Sequence, residues 1–210
     1  MKGTVFSVAL NHRSQLDAWD QAFRTAPYQT PPKTPVWFIK PRNTHLINGG
    51  SIPFPVGETV QSGATLAVVI GSTARKVPAA NVADYIAGYA LANDVSLPET
   101  SFYRPAIKAK CRDGFCPFGE VVPLSNVDQL EIVTEINGVE QDRWSTADLV
   151  RSAPELIAAI SDFITLQPGD AVLVGTPHQR VEIKPGDRVT VRAVGSPLPA
   201  LTNHVMQIGE

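Results

Sequence analysis

A small number of side chains in this sequence have types and spacings that could do chemistry. Asp94 ends an apolar segment, Lys110 lies in the basic segment 108–112, and Thr176 lies in a Gly-Thr-Pro sequence. A carboxylate oxygen can bind a hard metal ion, and ammonium and hydroxyl groups can hold the carboxylate of a ligand. Each feature also has a purely structural alternative: a turn cap for Asp94, a solvated edge for the basic segment and a turn for Thr176. The residues alone leave these alternatives open.

Motifs of several common enzyme classes are absent from the sequence. It contains no Gly-x-Gly-x-x-Gly, no phosphate loop and no Gly-x-Ser-x-Gly nucleophile turn. The histidines are scattered, without a closely spaced pair, at positions 12, 45, 178 and 204. Cys111 and Cys116 do not have the spacing of a zinc site. We expect two reduced thiols in or near the core.

The composition is that of an ordinary globular chain. Hydrophobic residues make up 43% and charged residues 18% of the 210 positions, which argues against disorder. The net charge of −2 gives no reason to expect nucleic acid or an anionic membrane as a partner. No apolar stretch approaches the roughly 20 residues of a spanning helix, and the N-terminal segment lacks a signal-peptide pattern. We therefore expect a cytoplasmic protein.

The elements that must position these side chains are mostly strands. The 18 prolines and 15 glycines favour many short strands joined by tight turns. Strands are expected at Trp37–Lys40 and at the buried run Leu66–Ile70, and a hairpin is expected where Glu131–Ile136 meets Asn137-Gly138. A Pro-Gly-Asp turn occurs twice near the C-terminus, each time before a strand.

Two helices are predicted. Apolar residues at helical spacing indicate one helix from about Asn81 to Leu91. A capping-box pattern at Ser152–Glu155 starts the other, whose apolar face is Leu156, Ile160 and Phe163. Shorter helical turns are expected around positions 16–23. Because no linker divides the chain, a mostly β single domain is the simplest interpretation.

Several motifs follow one another along almost the whole chain. They are Pro32–Pro41, Leu66–Gly71 with Asp84–Tyr89, Lys110–Pro117, and Thr146–Leu149 with Leu166–Asp170 and Val174–Pro177. Each motif is weak alone, but their order and spacing closely resemble the fumarylacetoacetate hydrolase family. The resemblance implies a mainly β (α+β) fold, a mixed β-sandwich roll with a few helices, as one family domain over residues 1–210.

The resemblance also implies a divalent metal, Mg²⁺ or Mn²⁺, held by two glutamates and an aspartate. Asp94 matches the aspartate, whereas Gly63 and Thr65 stand at the positions of the two glutamates. Glu58 lies just before this strand and is a weak candidate for a substitute ligand. The expectation is that Asp94 is the only family ligand retained, and that the metal is held by this chain or only by a partner chain.

On the substrate side the family pattern is better preserved. By resemblance, Lys110 is the catalytic lysine beside the reacting carbonyl, and Arg104, Lys110 and Thr176 bind the carboxylates of a small 2-oxo di- or tricarboxylate. The family's active-site histidine and glutamate, in contrast, match Gln15 and Ala18. Neither residue can act as a general base.

Within the family the resemblance is strongest to the N-terminal half of two-domain enzymes of 4-hydroxyphenylacetate (homoprotocatechuate) degradation, notably at Ala9–Trp19 and Ser101–Pro105. It implies a subunit that decarboxylates 5-oxopent-3-ene-1,2,5-tricarboxylate and isomerises 2-hydroxyhepta-2,4-dienedioate, in a homo- or hetero-oligomer with a second family domain. Two alternatives remain: a non-catalytic, metal-deficient scaffold for a metal-binding sister chain, and, more weakly, an acylpyruvate-type C–C hydrolase.

Overall fold

The computed structural model of the protein describes residues 3–209. Met1 and Lys2, which begin the N-terminal segment considered above, and Glu210 lie outside the described residues. The strands are β1 Val5–Ala9, β2 Val36–Lys40, β3 His45–Ile47, β4 Ser51–Phe54, β5 Val60–Ser62, β6 Ala64–Ile70, β7 Ile86–Asn93, β8 Cys116–Phe118, β9 Glu131–Ile136, β10 Val139–Ser145, β11 Ala171–Leu173, β12 Val181–Ile183, β13 Arg188–Ala193 and β14 Leu201–Gln207. The α-helices are α1 Arg13–Phe23, α2 Ile107–Lys110 and α3 Ala153–Ser161, and short 3-10 helices cover Arg42–Thr44, Ala79–Tyr85 and Thr146–Asp148.

The mainly β prediction is confirmed, with 37% strand and 18% helix. The largest sheet has the strand order β2-β1-β11-β6-β7-β8-β3. The predicted apolar strand lies at its centre as β6, and every residue of β6 is buried. A strand covered on both faces needs apolar side chains on both, which explains its uninterrupted apolar sequence.

A second sheet of five strands, in the order β10-β9-β13-β14-β4, packs beside the first. The predicted hairpin joins β9 to β10, and both Asn137 (φ 54°) and Gly138 (φ 85°) adopt the left-handed conformation that a type I′ turn requires. The repeated Pro-Gly-Asp turns precede β11 and β13 as expected. The two strands β12 and β5 form a separate small ladder.

The helix predicted over 81–91 is wrong. A 3-10 helix ends at Tyr85, and the chain then continues as β7, which pairs with β6 from Ile86 to Asn93. Tyr89 also exchanges two backbone hydrogen bonds with Val122, and a Cβ at Gly88 would lie only 2.6 Å from the Val122 carbonyl oxygen. Pairing on both sides of the strand therefore overrides the helical spacing of its apolar residues, which serve a doubly covered strand equally well.

The second predicted helix is present as α3. Its capping box forms, because the backbone N–H of Ser152 donates to the Glu155 carboxylate at 2.7 Å. Leu156 and Ile160 are fully buried, but Phe163 lies beyond the end of the helix and is exposed, so its assignment to the apolar face is wrong. The predicted turns near residue 16 form the longer helix α1.

The cysteine prediction is confirmed. Cys111 and Cys116 are both free thiols, with Cys116 in the core and Cys111 half-buried. Burial raises the pKa of the Cys116 thiol to about 12, so it stays protonated at neutral pH. Within the described part of the chain, no helix is both long enough and apolar enough to cross a membrane.

Candidate functional site

The carboxylate of Asp94 is buried among three cations just beyond the end of β7. Lys40 Nζ lies 2.6 Å from Oδ1, Lys110 Nζ lies 2.8 Å from Oδ2, and Arg180 Nη2 lies 3.1 Å from Oδ2. Glu99 completes the group, with Oε2 3.2 Å from Lys110 Nζ. We call these five residues the charged cluster.

Lys40 is fixed at the end of β2 by the backbone around it. Its ammonium donates hydrogen bonds to the carbonyl oxygens of Val95, Lys110 and Phe115 at 2.8, 2.8 and 2.9 Å. An ammonium has three protons, so these bonds use all of them. The contact with Asp94 Oδ1 is therefore a close electrostatic one without a directed hydrogen bond. Lys40 thus joins three segments of the chain around the carboxylate as a structural cation.

Lys110 is the last residue of the short helix α2 and its side chain is 1% exposed. It donates a hydrogen bond to Asp94 Oδ2, and its Nζ also lies 4.8 Å from the centre of the Phe38 ring, in a cation–π contact. Because Lys40 holds the Lys110 carbonyl and Asp94 holds the Lys110 ammonium, both ends of this residue are fixed by the cluster.

Arg180 links the cluster to the Gly-Thr-Pro segment. Its Nη1 donates to the Asp94 carbonyl oxygen at 3.0 Å, while Nη2 donates to Thr176 Oγ1 at 2.9 Å and to Asp94 Oδ2 at 3.1 Å. Nη2 also lies 3.8 Å from Glu99 Oε2. The planar guanidinium thus spans two groups of Asp94 and the threonine hydroxyl, a geometry that an ammonium could not reproduce.

The charges of the cluster control its protonation. Burial alone would raise the pKa of Asp94, but Lys110, Lys40 and Arg180 more than offset this effect and hold the pKa far below its ordinary value. Burial and the neighbouring Arg180 lower the pKa of Lys110, while Asp94 and Glu99 oppose that change. Asp94 is therefore a carboxylate at any physiological pH.

A divalent metal does not fit the residues present. Three cations already neutralise Asp94, and an added Mg²⁺ or Mn²⁺ would be repelled by all of them. A Cβ at Gly63 would lie 3.2 Å from Arg180 Nη1 and 2.7 Å from the Asp94 carbonyl oxygen, so the guanidinium fills the space beside this position. Thr65 gives its hydroxyl proton to the Gly175 carbonyl at 2.6 Å. Over residues 3–209 no group of three acidic, histidine or cysteine side chains is arranged to hold a metal.

The structure brings Asp94, Lys110 and Thr176 together, as the sequence pattern predicts, but not Arg104. Arg104 is exposed and lies outside the charged cluster. Glu58, the candidate substitute ligand, instead pairs with Arg112 at 3.0 Å. The basic segment is thus divided between one buried cation and two ion-paired side chains nearer the surface.

Sequence reasoning missed Lys40, Glu99 and Arg180. Lys40 lies inside the Pro32–Pro41 motif, so its place in the family pattern was visible although its role was not. Arg180 follows the Gly-Thr-Pro threonine by four residues, but no motif in the sequence pointed to it. Glu99 has no comparable sequence signal.

A cavity of about 440 Å³ adjoins the cluster. Its wall is mainly apolar and includes Phe38, Phe102 and Ile107, while the polar residues Glu99 and Arg104 also line it. A cavity of this size with few polar groups is suited to a small molecule with an apolar chain and charged ends.

No general base stands at the family position. The Gln15 side chain is buried and its Oε1 accepts the backbone N–H of Leu10 at 2.8 Å, so this residue is committed to the start of α1. Ala18 is exposed on the same helix. Within the charged cluster, burial lowers the pKa of Lys110, so its ammonium gives up a proton more readily than an ordinary lysine.

Known proteins resemble this chain over nearly its whole length. The profile of the fumarylacetoacetate (FAA) hydrolase C-terminal family matches residues 4–206. The chain is 68% identical over 206 residues to the 4-hydroxyphenylacetate degradation bifunctional isomerase/decarboxylase of Escherichia coli, an alignment that covers 98% of this chain and 48% of that protein. The chain thus spans about half the length of this curated relative.

Solved structures have the same fold. The 5-carboxymethyl-2-hydroxymuconate delta-isomerase of Mycobacterium smegmatis superposes with a TM-score of 0.84 at 31% identity, over 99% of this chain and 80% of that one. Fumarylpyruvate hydrolase of Pseudomonas aeruginosa, solved with Mn²⁺ and pyruvate, has a TM-score of 0.79 at 22% identity, over 98% and 90% of the two chains, and supports the fold alone. Members of this family often bind a divalent metal.

Proposed function

Because the chain belongs to the fumarylacetoacetate hydrolase family, we propose that it is one half of an isomerase/decarboxylase of 4-hydroxyphenylacetate degradation. In this proposal the complete enzyme decarboxylates 5-oxopent-3-ene-1,2,5-tricarboxylate and isomerises the product, 2-hydroxyhepta-2,4-dienedioate. The observation that carries the proposal is the 68% identity over 98% of the chain. A second family domain, from another chain or the same polypeptide, supplies the other half.

The charged cluster supports the chemistry of decarboxylation. When the bond to the departing carboxylate breaks, CO₂ leaves and the electron pair moves through the conjugated chain to the 2-oxo oxygen, which becomes an enolate oxygen. In the proposal, the Lys110 ammonium and the Arg180 guanidinium stabilise this negative charge, and Lys110 delivers the proton that completes the enol. Fixed cations in a site with little water are effective because they need no reorganisation as the charge develops.

The divalent metal, Mg²⁺ or Mn²⁺, belongs in this proposal to the second family domain. A bound metal there would polarise a 2-oxo acid and stabilise an enolate. Asp94 retains the position of a family metal ligand, but here it orients Lys110 and Arg180. In the proposal, Lys110 and Thr176 bind the substrate, together with Arg104, an exposed residue that lines the cavity.

The experiment that tests this function is an assay of both reactions with the purified chain, alone and mixed with the second family domain, with and without Mg²⁺. We expect the mixture to convert both substrates and to need Mg²⁺ for at least one of them. If the mixture converts neither substrate, the proposal is wrong.

One observation favours the scaffold alternative. The ion-paired side chains of the cluster are almost closed to solvent, with Lys110 1% and Asp94 4% exposed. A cluster of this kind could serve only to hold loops together beneath an interface with the second domain. Single replacements of Lys110 and Arg104 in the complete enzyme separate the two possibilities, because a scaffold would keep its kinetics while the proposed active subunit would lose decarboxylation.

A further inference from the structure

The position of Glu99 is the least explained feature of the cluster. Its carboxylate lies 3.2 Å from Lys110 Nζ and 3.8 Å from Arg180 Nη2, and its side chain is 12% exposed. Glu99 is carried by residues 94–106, a segment between β7 and α2 without a helix and with no strand of its own. Unlike Asp94, it accepts no directed hydrogen bond from either cation. Glu99 is thus the loosely held anion of the cluster.

The charge balance of the cluster leaves room for a further anion. Lys40, Lys110 and Arg180 contribute three positive charges against the two negative charges of Asp94 and Glu99. If Glu99 turned away, the three cations of the cluster would carry two positive charges more than the remaining Asp94 can balance. Buried cations without partners are costly, so an incoming carboxylate would be bound strongly.

The cavity leads from the surface to this carboxylate. Glu99 and Arg104 both line it, and most of the wall between them is apolar. A molecule that entered with a carboxylate in front would meet Glu99 where Lys110 and Arg180 hold it, and a carboxylate at its other end would find the Arg104 guanidinium.

We propose that Glu99 occupies the binding site of a ligand carboxylate and is displaced by it, and that the ligand is a dicarboxylate with an apolar chain whose second carboxylate meets Arg104. The inference rests on the proposed function in one respect, since it assigns that function's dicarboxylate intermediate to this cavity. In this exchange, the ligand carboxylate replaces the Glu99 carboxylate beside Lys110 and Arg180.

Isothermal titration calorimetry of the full chain tests the exchange with unreactive probes. The probes are trans,trans-muconate, a conjugated dicarboxylate, and sorbate, the monocarboxylate with the same carbon chain. We expect Glu99→Gln to bind both probes about tenfold more tightly than the unmodified chain, because the competing carboxylate is gone. Arg104→Gln should weaken muconate by about tenfold and leave sorbate unchanged.

Glu58→Gln is the matched control. It removes the same charge from another glutamate that pairs with cations, Lys108 and Arg112, outside the cluster. An equal gain in Glu58→Gln would mean that net charge alone improves binding, and the proposal would be overturned. It would also be overturned if Glu99→Gln, shown to be folded by thermal unfolding, bound muconate no better than the unmodified chain, or if no variant bound muconate.

The binding measurement does not depend on turnover. If the complete enzyme converts neither substrate but Glu99→Gln still gains affinity, the proposed function fails and the carboxylate site stands. If the enzyme turns over but the gain is missing, the function stands and the exchange is wrong.

Discussion

Replacing Lys110 with methionine is expected to lower kcat for decarboxylation by the complete enzyme by about 100- to 1,000-fold, the usual cost of removing one fixed donor from a developing negative charge. Methionine keeps most of the apolar stem of the lysine, and Asp94 retains Lys40 and Arg180 as partners. The loss should therefore appear in kcat more than in folding. Steady-state kinetics together with thermal unfolding would measure the two effects separately.

Lys108→Met is the control for this replacement. Lys108 lies on the same short helix, but its side chain is 83% exposed and its ion pair with Glu58 spans 3.9 Å. We expect its kinetics to match those of the unmodified enzyme. If Lys110→Met also kept kcat within about twofold, far short of the loss expected for a lost donor, the scaffold interpretation would replace the active one.

The pH dependence of kcat for decarboxylation should also show the loss of the Lys110 proton. Burial lowers its pKa below the ordinary 10.5. Since the proposed chemistry needs the ammonium form, kcat should fall on the alkaline side at a pH below 10.5, as the proton is lost. An alkaline limb that is unchanged in an active Lys110→Arg variant would assign the titration to another group.

Asp94→Asn is expected to have the largest effect on stability, lowering the free energy of unfolding by about 3–5 kcal/mol, the range typical of a broken buried ion pair. The replacement leaves three buried cations with only the carboxylate of Glu99. Urea denaturation of the unmodified and mutant chains measures the difference. Asp20→Asn, which removes an exposed ion pair with Arg24, should leave the free energy of unfolding nearly unchanged.

Acid should also lower the free energy of unfolding, because it protonates Asp94 in the unfolded chain and so removes part of the stabilisation that Asp94→Asn removes. The folded-state pKa of Asp94 is depressed far below the ordinary 3.8, so its stabilisation is complete above that value and is lost as the pH falls below it toward the folded-state pKa. The unmodified chain should therefore lose stability between neutral pH and about pH 3 more steeply than Asp94→Asn, because 3.8 lies within this range. Parallel pH profiles of the two chains would contradict the assignment of the shift to Asp94.

The sequence predicted the elements whose local signals agree with their environment. The apolar run became β6, Asn137-Gly138 made the hairpin, and the capping box at Ser152 started α3. The prediction was wrong at β7, which pairs with a strand on each side. Apolar and polar residues need not alternate in such a strand, and the spacing of its apolar residues resembled that of a helix. Local pattern cannot distinguish these cases when the deciding contacts come from distant strands.

The site was predictable only in part, for a similar reason. The family resemblance assigned Asp94, Lys110 and Thr176 to one site, and the structure places them in contact with each other or with Arg180. The identity of the neutralising groups was not predictable, since Lys40 and Arg180 reach Asp94 from segments 54 and 86 residues away in the chain. The Arg180 guanidinium fills the space beside Gly63. That contact depends on how distant segments pack, so the sequence alone did not reveal it.

In the proposed function, this domain uses protein cations where members of its family often bind a divalent metal. The most direct test is the metal content of the purified chain after dialysis against excess Mn²⁺ and gel filtration, with Asp94→Asn as the comparison. We expect well under one equivalent of Mn²⁺, the same in both chains, and no shift of the unfolding temperature on adding Mn²⁺. One equivalent of Mn²⁺ that is lost in Asp94→Asn would contradict it.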